Sequence, residues 1–225
     1  MTFSIVGRCR DTGMFGVAIT TSSICVGARC PHVRAGVGAV ATQNVTDPTY
    51  GPRVLDLLAK GHDADDALAR AIAGKPHLDY RQIIVVDRTG VTASYTGNRI
   101  LGIHAVATGE DCVAAGNLLS SVEVPAAMAD AFAASAGRHL AERLLRGLEA
   151  GLAAGGEQGQ VHSSALLVAD RQPFALVDLR CDWDDADPVN VLRGLWTDYE
   201  PQMDAYVTRA LDPPSAPTYG VPGDV

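Results

Sequence analysis

Side chains alternate along the first residues of the chain in the manner of a β-strand. Phe3 and Ile5 fall on one face of an extended segment, whereas Thr2, Ser4 and Val6 fall on the other. The pattern therefore predicts a strand at the very beginning of the chain. Thr2 would then lie at the end of a sheet.

Further strands alternate with pairs of helices along the chain. A period of two predicts strands, and leucines and alanines at helical spacing predict helices. The predicted strands cover 2–9, 15–20, 36–43, 81–87, 91–96, 104–108, 112–116, 163–169 and 173–179. The predicted helices cover 53–60, 63–73, 122–134, 140–154 and 188–211, with a break near Pro201 in the last.

This order of elements predicts a layered protein. Hairpins that alternate with helix pairs imply antiparallel sheets covered by helices. We therefore expect an α+β fold, a four-layer αββα sandwich of two stacked antiparallel sheets, formed by a single domain over residues 1–211. Four prolines within 212–225 predict an extended C-terminal tail.

Composition narrows the classes of partner. The chain of 225 residues has a net charge of −8 and no basic cluster, which argues against a nucleic-acid surface. No apolar run reaches the roughly 18 residues of a membrane span, and the start of the chain lacks the features of a signal peptide. Five scattered cysteines are typical of reduced thiols. We therefore predict a cytoplasmic protein that acts on a small-molecule or peptide substrate, without nucleic acid or membrane.

The residue after Met1 offers a specific chemistry. Methionine aminopeptidases usually remove Met1 when the second residue is small, and removal would leave Thr2 with a hydroxyl and a free α-amine. An α-amine with a pKa of roughly 7.7–8.0 can accept a proton near neutral pH. A threonine whose own amine is the base is a known activated nucleophile. Met-Thr is also a common start for proteins of other kinds, so both interpretations remain open.

Segments along the whole chain match the pattern of one protein family. They are TFSIV at 2–6, RAGVGAVATQ at 34–43, YGPR at 50–53, RQ leading to Asp87 at 81–87, TG at 96–97, GNLL at 116–119, LAERLL at 140–145, SSALL at 163–167, DLR at 178–180 and YGVPGD at 219–224. In these segments the chain resembles the bacterial family called domain of unknown function 1028. That family is grouped with the N-terminal-nucleophile (Ntn) hydrolases, whose fold is the αββα sandwich.

The resemblance implies a hydrolase of amide-type C–N bonds with Thr2 as the nucleophile. Better-known relatives of the proteasome type place a lysine near the nucleophile, but neither Lys60 nor Lys75 lies in a predicted strand. Arg34 precedes the predicted third strand and is the nearest cation by position. Because a guanidinium cannot act as a base, Arg34 would serve as an electrostatic partner.

Three other residues are candidates for the same site. Asn117 follows one predicted strand and Gln43 ends another, and both could donate hydrogen bonds to a tetrahedral oxyanion. Ser4 shares a strand face with Thr2 and could bond its amine or hydroxyl. Each could instead be a polar residue that closes or lines a strand. The run 20–23 (TTSS) could likewise line a pocket or be a solvated strand exit.

The sequence predicts no metal and no cofactor. Cys25, Cys30 and His32 lie close together, but a zinc site usually takes three or four protein ligands and the spacing matches no zinc pattern. Buried thiols account for the cysteines more simply.

Two hypotheses follow for function. The first is an amidohydrolase that cleaves a small amide, imide or acylated amine in nitrogen-compound catabolism, with Thr2 as the nucleophile once Met1 is removed. The alternative is an Ntn-fold protein without the N-terminal mechanism, either a small-molecule-binding module or an enzyme that uses other pocket residues. We expect a homo-oligomer, because αββα sandwiches tend to assemble through their helices.

Overall fold

The structure is a computed structural model, and it describes residues 2–220. Met1 and the last five residues of the predicted tail lie outside the described residues. Within 2–220 the strands are β1 (Thr2–Arg8), β2 (Phe15–Thr21), β3 (Pro31–Arg34), β4 (Gly38–Asn44), β5 (Arg81–Asp87), β6 (Thr92–Thr96), β7 (Ala105–Gly109), β8 (Cys112–Asn117), β9 (Ser163–Ala169) and β10 (Val177–Cys181). The α-helices are α1 (Tyr50–Ala59), α2 (Ala64–Ile72), α3 (Val124–Ala134), α4 (Leu140–Ala153), α5 (Pro188–Tyr199) and α6 (Met203–Leu211).

The strands form two antiparallel sheets. The larger sheet has the order β10-β9-β2-β1-β8-β7, and the smaller has the order β3-β4-β5-β6. The prediction of an α+β protein with two antiparallel sheets is confirmed. β1 lies inside the larger sheet, with β2 on one side and β8 on the other.

The observed strands depart most clearly from the predicted ones at two places. The predicted third strand is the fourth in the structure, because Pro31–Arg34 forms an additional edge strand before it. This strand was missed because its proline and polar side chains break the alternation, yet an edge strand tolerates proline. The predicted strand at 173–179 begins instead at Val177, after a bend, and ends at Cys181.

The alternation along β1 separates two cores. Phe3 and Ile5 are fully buried against α3 and α4, in a cluster that includes Phe132 and Leu144. Val6 points the opposite way, into an apolar cluster shared by the two sheets. One strand therefore contributes alternate residues to a helix-facing core and to an inter-sheet core, as the period of two predicts.

Helices cover the outer face of each sheet. α1 and α2 pack their leucines and alanines against the smaller sheet, and the carboxylate of Asp63 caps α2 by accepting from the N–H of Asp66 at 2.9 Å. α3 and α4 pack against the larger sheet, and α5 packs against β9 and β10. Within residues 2–220, none of the helices has the length and apolar composition needed to cross a membrane.

Candidate active site

Thr2 lies between two strands at one end of the larger sheet. It is directly opposite Thr21 of β2 on one side and Asn117 of β8 on the other. Residues paired in this way point their side chains to the same face of a sheet, here the face toward the smaller sheet. The hydroxyls of Thr2 and Thr21 share a hydrogen bond of 3.0 Å, and Thr2 is 5% exposed. The nucleophile candidate is therefore held in a defined position inside the protein.

A chain of buried side-chain hydrogen bonds lies beside Thr2. The Ser4 hydroxyl donates to Gln43 Oε1 at 2.6 Å, and Gln43 Nε2 donates to Gln82 Oε1 at 2.8 Å. Asn117 Nδ2 donates to the same Gln82 oxygen at 3.3 Å. All four of these polar side chains are fully buried. They join the two sheets, since Ser4 and Asn117 belong to the larger sheet and the two glutamines to the smaller.

The period of two places these residues together. Along β4, Gln43 follows Ala39 and Ala41 on the inner face, and along β5, Gln82 precedes Ile84 and Val86. The inner faces are thus apolar along most of their length and polar at one end. Ser4, Gln43 and Asn117, which the sequence singled out as candidates, all lie at this polar end.

Gln82 is a member of this group that the sequence analysis missed. Besides accepting two hydrogen bonds, its Nε2 donates to the carbonyl oxygen of Gly116 at 3.2 Å, across the gap between the sheets. A glutamine on the buried face of the otherwise apolar segment IIVV was the available signal. A buried polar side chain in such a strand needs a partner, here Gln43 in the same sheet and Asn117 and Gly116 in the facing sheet.

The amide of Asn117 retains hydrogen-bonding capacity. Its Oδ1 is buried and has no hydrogen-bond partner among the described residues. Its Nδ2 carries two hydrogens, and the bond to Gln82 uses one of them. An amide that is held by one bond and has a second N–H is suited to donating to an oxygen atom beside Thr2.

The structure places Arg34 apart from Thr2, which corrects the expectation that it acts as the electrostatic partner of the nucleophile. Arg34 ends β3 opposite Gly38, which precedes Gln43 by five residues on β4. At about 3.3 Å per residue this is a separation of roughly 16 Å along the strand. Its guanidinium instead pairs with Asp56 at 2.8 Å on the exposed surface.

Glu157 is a second residue that the sequence analysis missed. It lies in the glycine-rich loop after α4, yet it is only 7% exposed. Burial raises the pKa of its carboxyl to about 8. The backbone of Ser22 lies close enough to lower that pKa, although it makes no hydrogen bond of ordinary length with the carboxyl. The loop sequence does not predict this burial, because the burial results from an antiparallel backbone bridge to distant Leu119.

The surroundings of Thr2 differ from those of typical surface pockets. Five cavities of about 400 to 540 Å³ lie elsewhere on the molecule, and Thr2 lines none of these five. Over residues 2–220, no three His, Cys, Asp or Glu side chains lie close enough together to hold a metal ion.

Comparisons with known proteins identify the family of this chain. A family model described as a family of unknown function, DUF1028, matches residues 2–192. The chain is similar to the crystal structure of protein SPO2555 from Silicibacter pomeroyi, itself described by the DUF1028 model, with 30% identity, a TM-score of 0.81, and coverage of 88% of this chain and 85% of that one.

More distant matches have lower scores. Anbu (ancestral beta-subunit) from Yersinia bercovieri is 10% identical with a TM-score of 0.40, and an Anbu (Gly-1) mutant from Hyphomicrobium sp. strain MC1 is 12% identical with a TM-score of 0.42; each match covers 91% of this chain and 97% of the other. No curated protein matches the chain. The family model and the similarity to SPO2555 show that this chain belongs to the family of unknown function DUF1028.

Proposed function

We propose that this protein hydrolyses an amide-type C–N bond of a small molecule, an amide, imide or acylated amine, with Thr2 as the nucleophile after Met1 is removed. The observation that carries the proposal is the position of Thr2 at the start of an internal strand, beside a fully buried polar network between two sheets. The packing of helices on the outer faces of both sheets supports assigning the fold to the four-layer αββα sandwiches of Ntn hydrolases.

The reaction begins with attack of Thr2 Oγ1 on the carbonyl carbon of the substrate. The hydroxyl proton passes to the α-amine of Thr2, whose ordinary pKa of roughly 7.7–8.0 suits it to act as a base. Collapse of the tetrahedral intermediate breaks the C–N bond, and the leaving nitrogen takes the proton. Water then hydrolyses the Thr2 ester, which releases the acid and restores the hydroxyl.

The surrounding side chains have separate roles in this scheme. Asn117 is the candidate donor to the oxyanion, and one such donor typically lowers the barrier by about 3–4 kcal/mol. Ser4, Gln43 and Gln82 form the hydrogen-bonded chain that holds the Asn117 amide in place. They are positioning residues. Thr21, whose hydroxyl bonds that of Thr2, fixes the direction of the nucleophile.

One observation favours the alternative of a binding protein or an enzyme that uses other residues. Thr2 is only 5% exposed and lines none of the five cavities described above. The cavity near the start of β5 is lined by Arg53, Lys75 and Arg81 against one carboxylate, Asp47, and so offers a mainly positive surface instead. A test of the Thr2 mechanism must therefore also show that a reagent reaches Thr2.

A β-lactone tests the nucleophile without knowledge of the substrate. Attack of Thr2 Oγ1 on the lactone carbonyl forms an ester and breaks the ring C–O bond, and the ring oxygen takes the proton, so the protein gains the full mass of the reagent. We expect one adduct on a peptide that begins with Thr2 and none in Thr2→Ala. Mass spectrometry of the intact and digested protein provides the measurement.

Thr20→Ala is the matched control. Thr20 is also a buried strand threonine, but its hydroxyl donates to the carbonyl of Ser163 at 2.9 Å. This variant should form the adduct as the unmodified protein does. An equal adduct in Thr2→Ala, or none on protein shown by its mass to begin at Thr2, would contradict the Thr2 mechanism and favour the alternative.

A further inference from the structure

Glu157 is a buried carboxyl without an evident partner. Neither of its carboxyl oxygens has a hydrogen-bond partner within residues 2–220, and no ion pair in that range includes it. Burial of an unpaired carboxylate costs several kcal/mol. Without a partner such a group stays protonated instead, and a cation that came to lie beside it would favour the carboxylate.

The backbone of Glu157 is attached to the segment that follows β8. Glu157 forms an antiparallel bridge with Leu119, and the N–H of the next residue donates to the carbonyl of Leu118 at 2.9 Å. Leu118 directly follows Asn117, which is the β8 partner of Thr2. Glu157 is therefore anchored just beyond the end of β1, on the β8 side.

The side chain of Glu157 extends toward the other neighbour of β1. Its carboxyl lies close to the backbone of Ser22. Ser22 directly follows Thr21, which is the β2 partner of Thr2. The carboxyl thus lies across the end of β1, between the continuations of β8 and β2. The first atom of β1 at this end is the nitrogen of Thr2.

We propose that the carboxylate of Glu157 binds the α-amino group of Thr2 in the protein from which Met1 has been removed. This inference rests on the proposed function, because it requires Thr2 to become the first residue. Processing would then create the partner that the buried carboxyl lacks. Glu157 is a positioning residue, since it acts on the amine and not on the substrate.

The pairing has a defined place in the reaction. When the α-amine accepts the proton of the Thr2 hydroxyl, it becomes an ammonium in a buried site. A carboxylate beside it stabilises that ammonium and directs the nitrogen lone pair toward Oγ1, as the aspartate of a serine triad does for its histidine. No proton needs to reach Glu157 for the step to balance.

The test is a titration of the amine itself, which needs no substrate. A cleavable N-terminal fusion yields protein that begins at Thr2, grown with ¹³C-labelled threonine. The shift of Thr2 Cα is followed by NMR from about pH 5 to about pH 10, and the signal is assigned by its loss in Thr2→Ser. A carboxylate neighbour raises an amine pKa, so we expect a midpoint above about 8.

Two substitutions distinguish the effect of the Glu157 charge on the Thr2 amine from the effect of burial alone. Glu157→Gln keeps the shape and removes the charge, and should lower the Thr2 midpoint by about one pH unit or more. Glu157→Asp keeps the charge on a shorter chain and should restore part of the shift. Glu110→Gln, which removes an exposed carboxyl paired with Arg10, is the matched control and should change nothing at Thr2.

A second measurement uses the unsubstituted protein. With ¹³C-labelled glutamate, the Glu157 carboxyl should titrate well below about 8, because an ammonium bound to it favours the carboxylate. The inference is overturned if Thr2 has the same midpoint in Glu157→Gln as in the unsubstituted protein, or if Glu157 still titrates near 8. If the unsubstituted protein forms no β-lactone adduct but its Thr2 amine still titrates at the raised pH, only the proposed function is refuted.

Discussion

The two ends of the space between the sheets are built from the same strands but from opposite kinds of residue. At one end the facing side chains are apolar, for example Val6, Ile84 and Val86. At the other end, Ser4 and Gln82 face each other across the gap through a connected set of hydrogen bonds. The backbone pattern is the same at both ends, so the difference lies only in the choice of side chains.

The comparison indicates what each end contributes. Burial of apolar area stabilises the fold by roughly 25 cal/mol per Å². A buried hydrogen bond contributes only about 1 kcal/mol net, because water provides similar bonds in the unfolded chain. The apolar end is therefore the source of stability. The polar end contributes less to stability than the apolar end.

The largest expected effect on stability is at the apolar end. Ile84→Ala removes a fully buried side chain between the sheets and should lower the free energy of unfolding by about 3 kcal/mol. Urea denaturation measures the loss. Reaction of the folded protein with the β-lactone should keep its rate. A rate that fell tenfold would show that the two ends are coupled.

A smaller loss of stability, joined to a loss of reactivity, is expected at the polar end. Gln82→Leu has a similar volume but removes the acceptor of both Gln43 and Asn117. The unfolding free energy should fall by about 2 kcal/mol, since two buried amides lose a partner.

The reactivity of this variant provides the sharper readout. Without Gln82 the Asn117 amide is no longer held, so β-lactone addition should slow by at least about tenfold. Ile84→Ala is the control, because it is also destabilised but leaves the polar chain intact. An unchanged rate in Gln82→Leu would mean that the network has no part in the chemistry.

The smallest effect is expected at Arg34. Its ion pair with Asp56 is exposed, with side-chain exposures of 40% and 61%, and such pairs contribute about 0–1 kcal/mol. Arg34→Ala should change the unfolding free energy by less than about 0.5 kcal/mol and leave β-lactone addition unchanged. A clear loss of reactivity would restore Arg34 to the site in spite of its distance.

Much of this arrangement followed from local patterns. The alternation of β1 placed Thr2 and Ser4 on one face and Phe3 on the other, and the structure has both faces as predicted. Gln43 and Asn117 were predicted where strands stop, and they lie at the ends of β4 and β8. These inferences succeeded because a period of two is a property of each strand by itself.

The remaining features depended on contacts between distant segments. Arg34 was judged by its position before a strand, but β4 begins at the end of the sheet remote from Gln43, and Arg34 lies at that end opposite Gly38. Gln82 needed the register between β4 and β5, and Glu157 needed the bridge to Leu119. No local pattern encodes a register or a long-range bridge, because each depends on how two separate segments pack.

The internal position of β1 also means that one of its two neighbours is synthesised much later than β1 itself. Thr2 pairs with Asn117, and 117 minus 2 gives a separation of 115 residues. At about 5–20 residues per second, the ribosome makes the second neighbour of β1 roughly 6–23 s after the first residues. During that interval the start of the chain lacks its β8 partner, whereas in the folded protein Thr2 is 5% exposed. We therefore expect the removal of Met1 to take place on the nascent chain, before Thr2 becomes buried in the sheet.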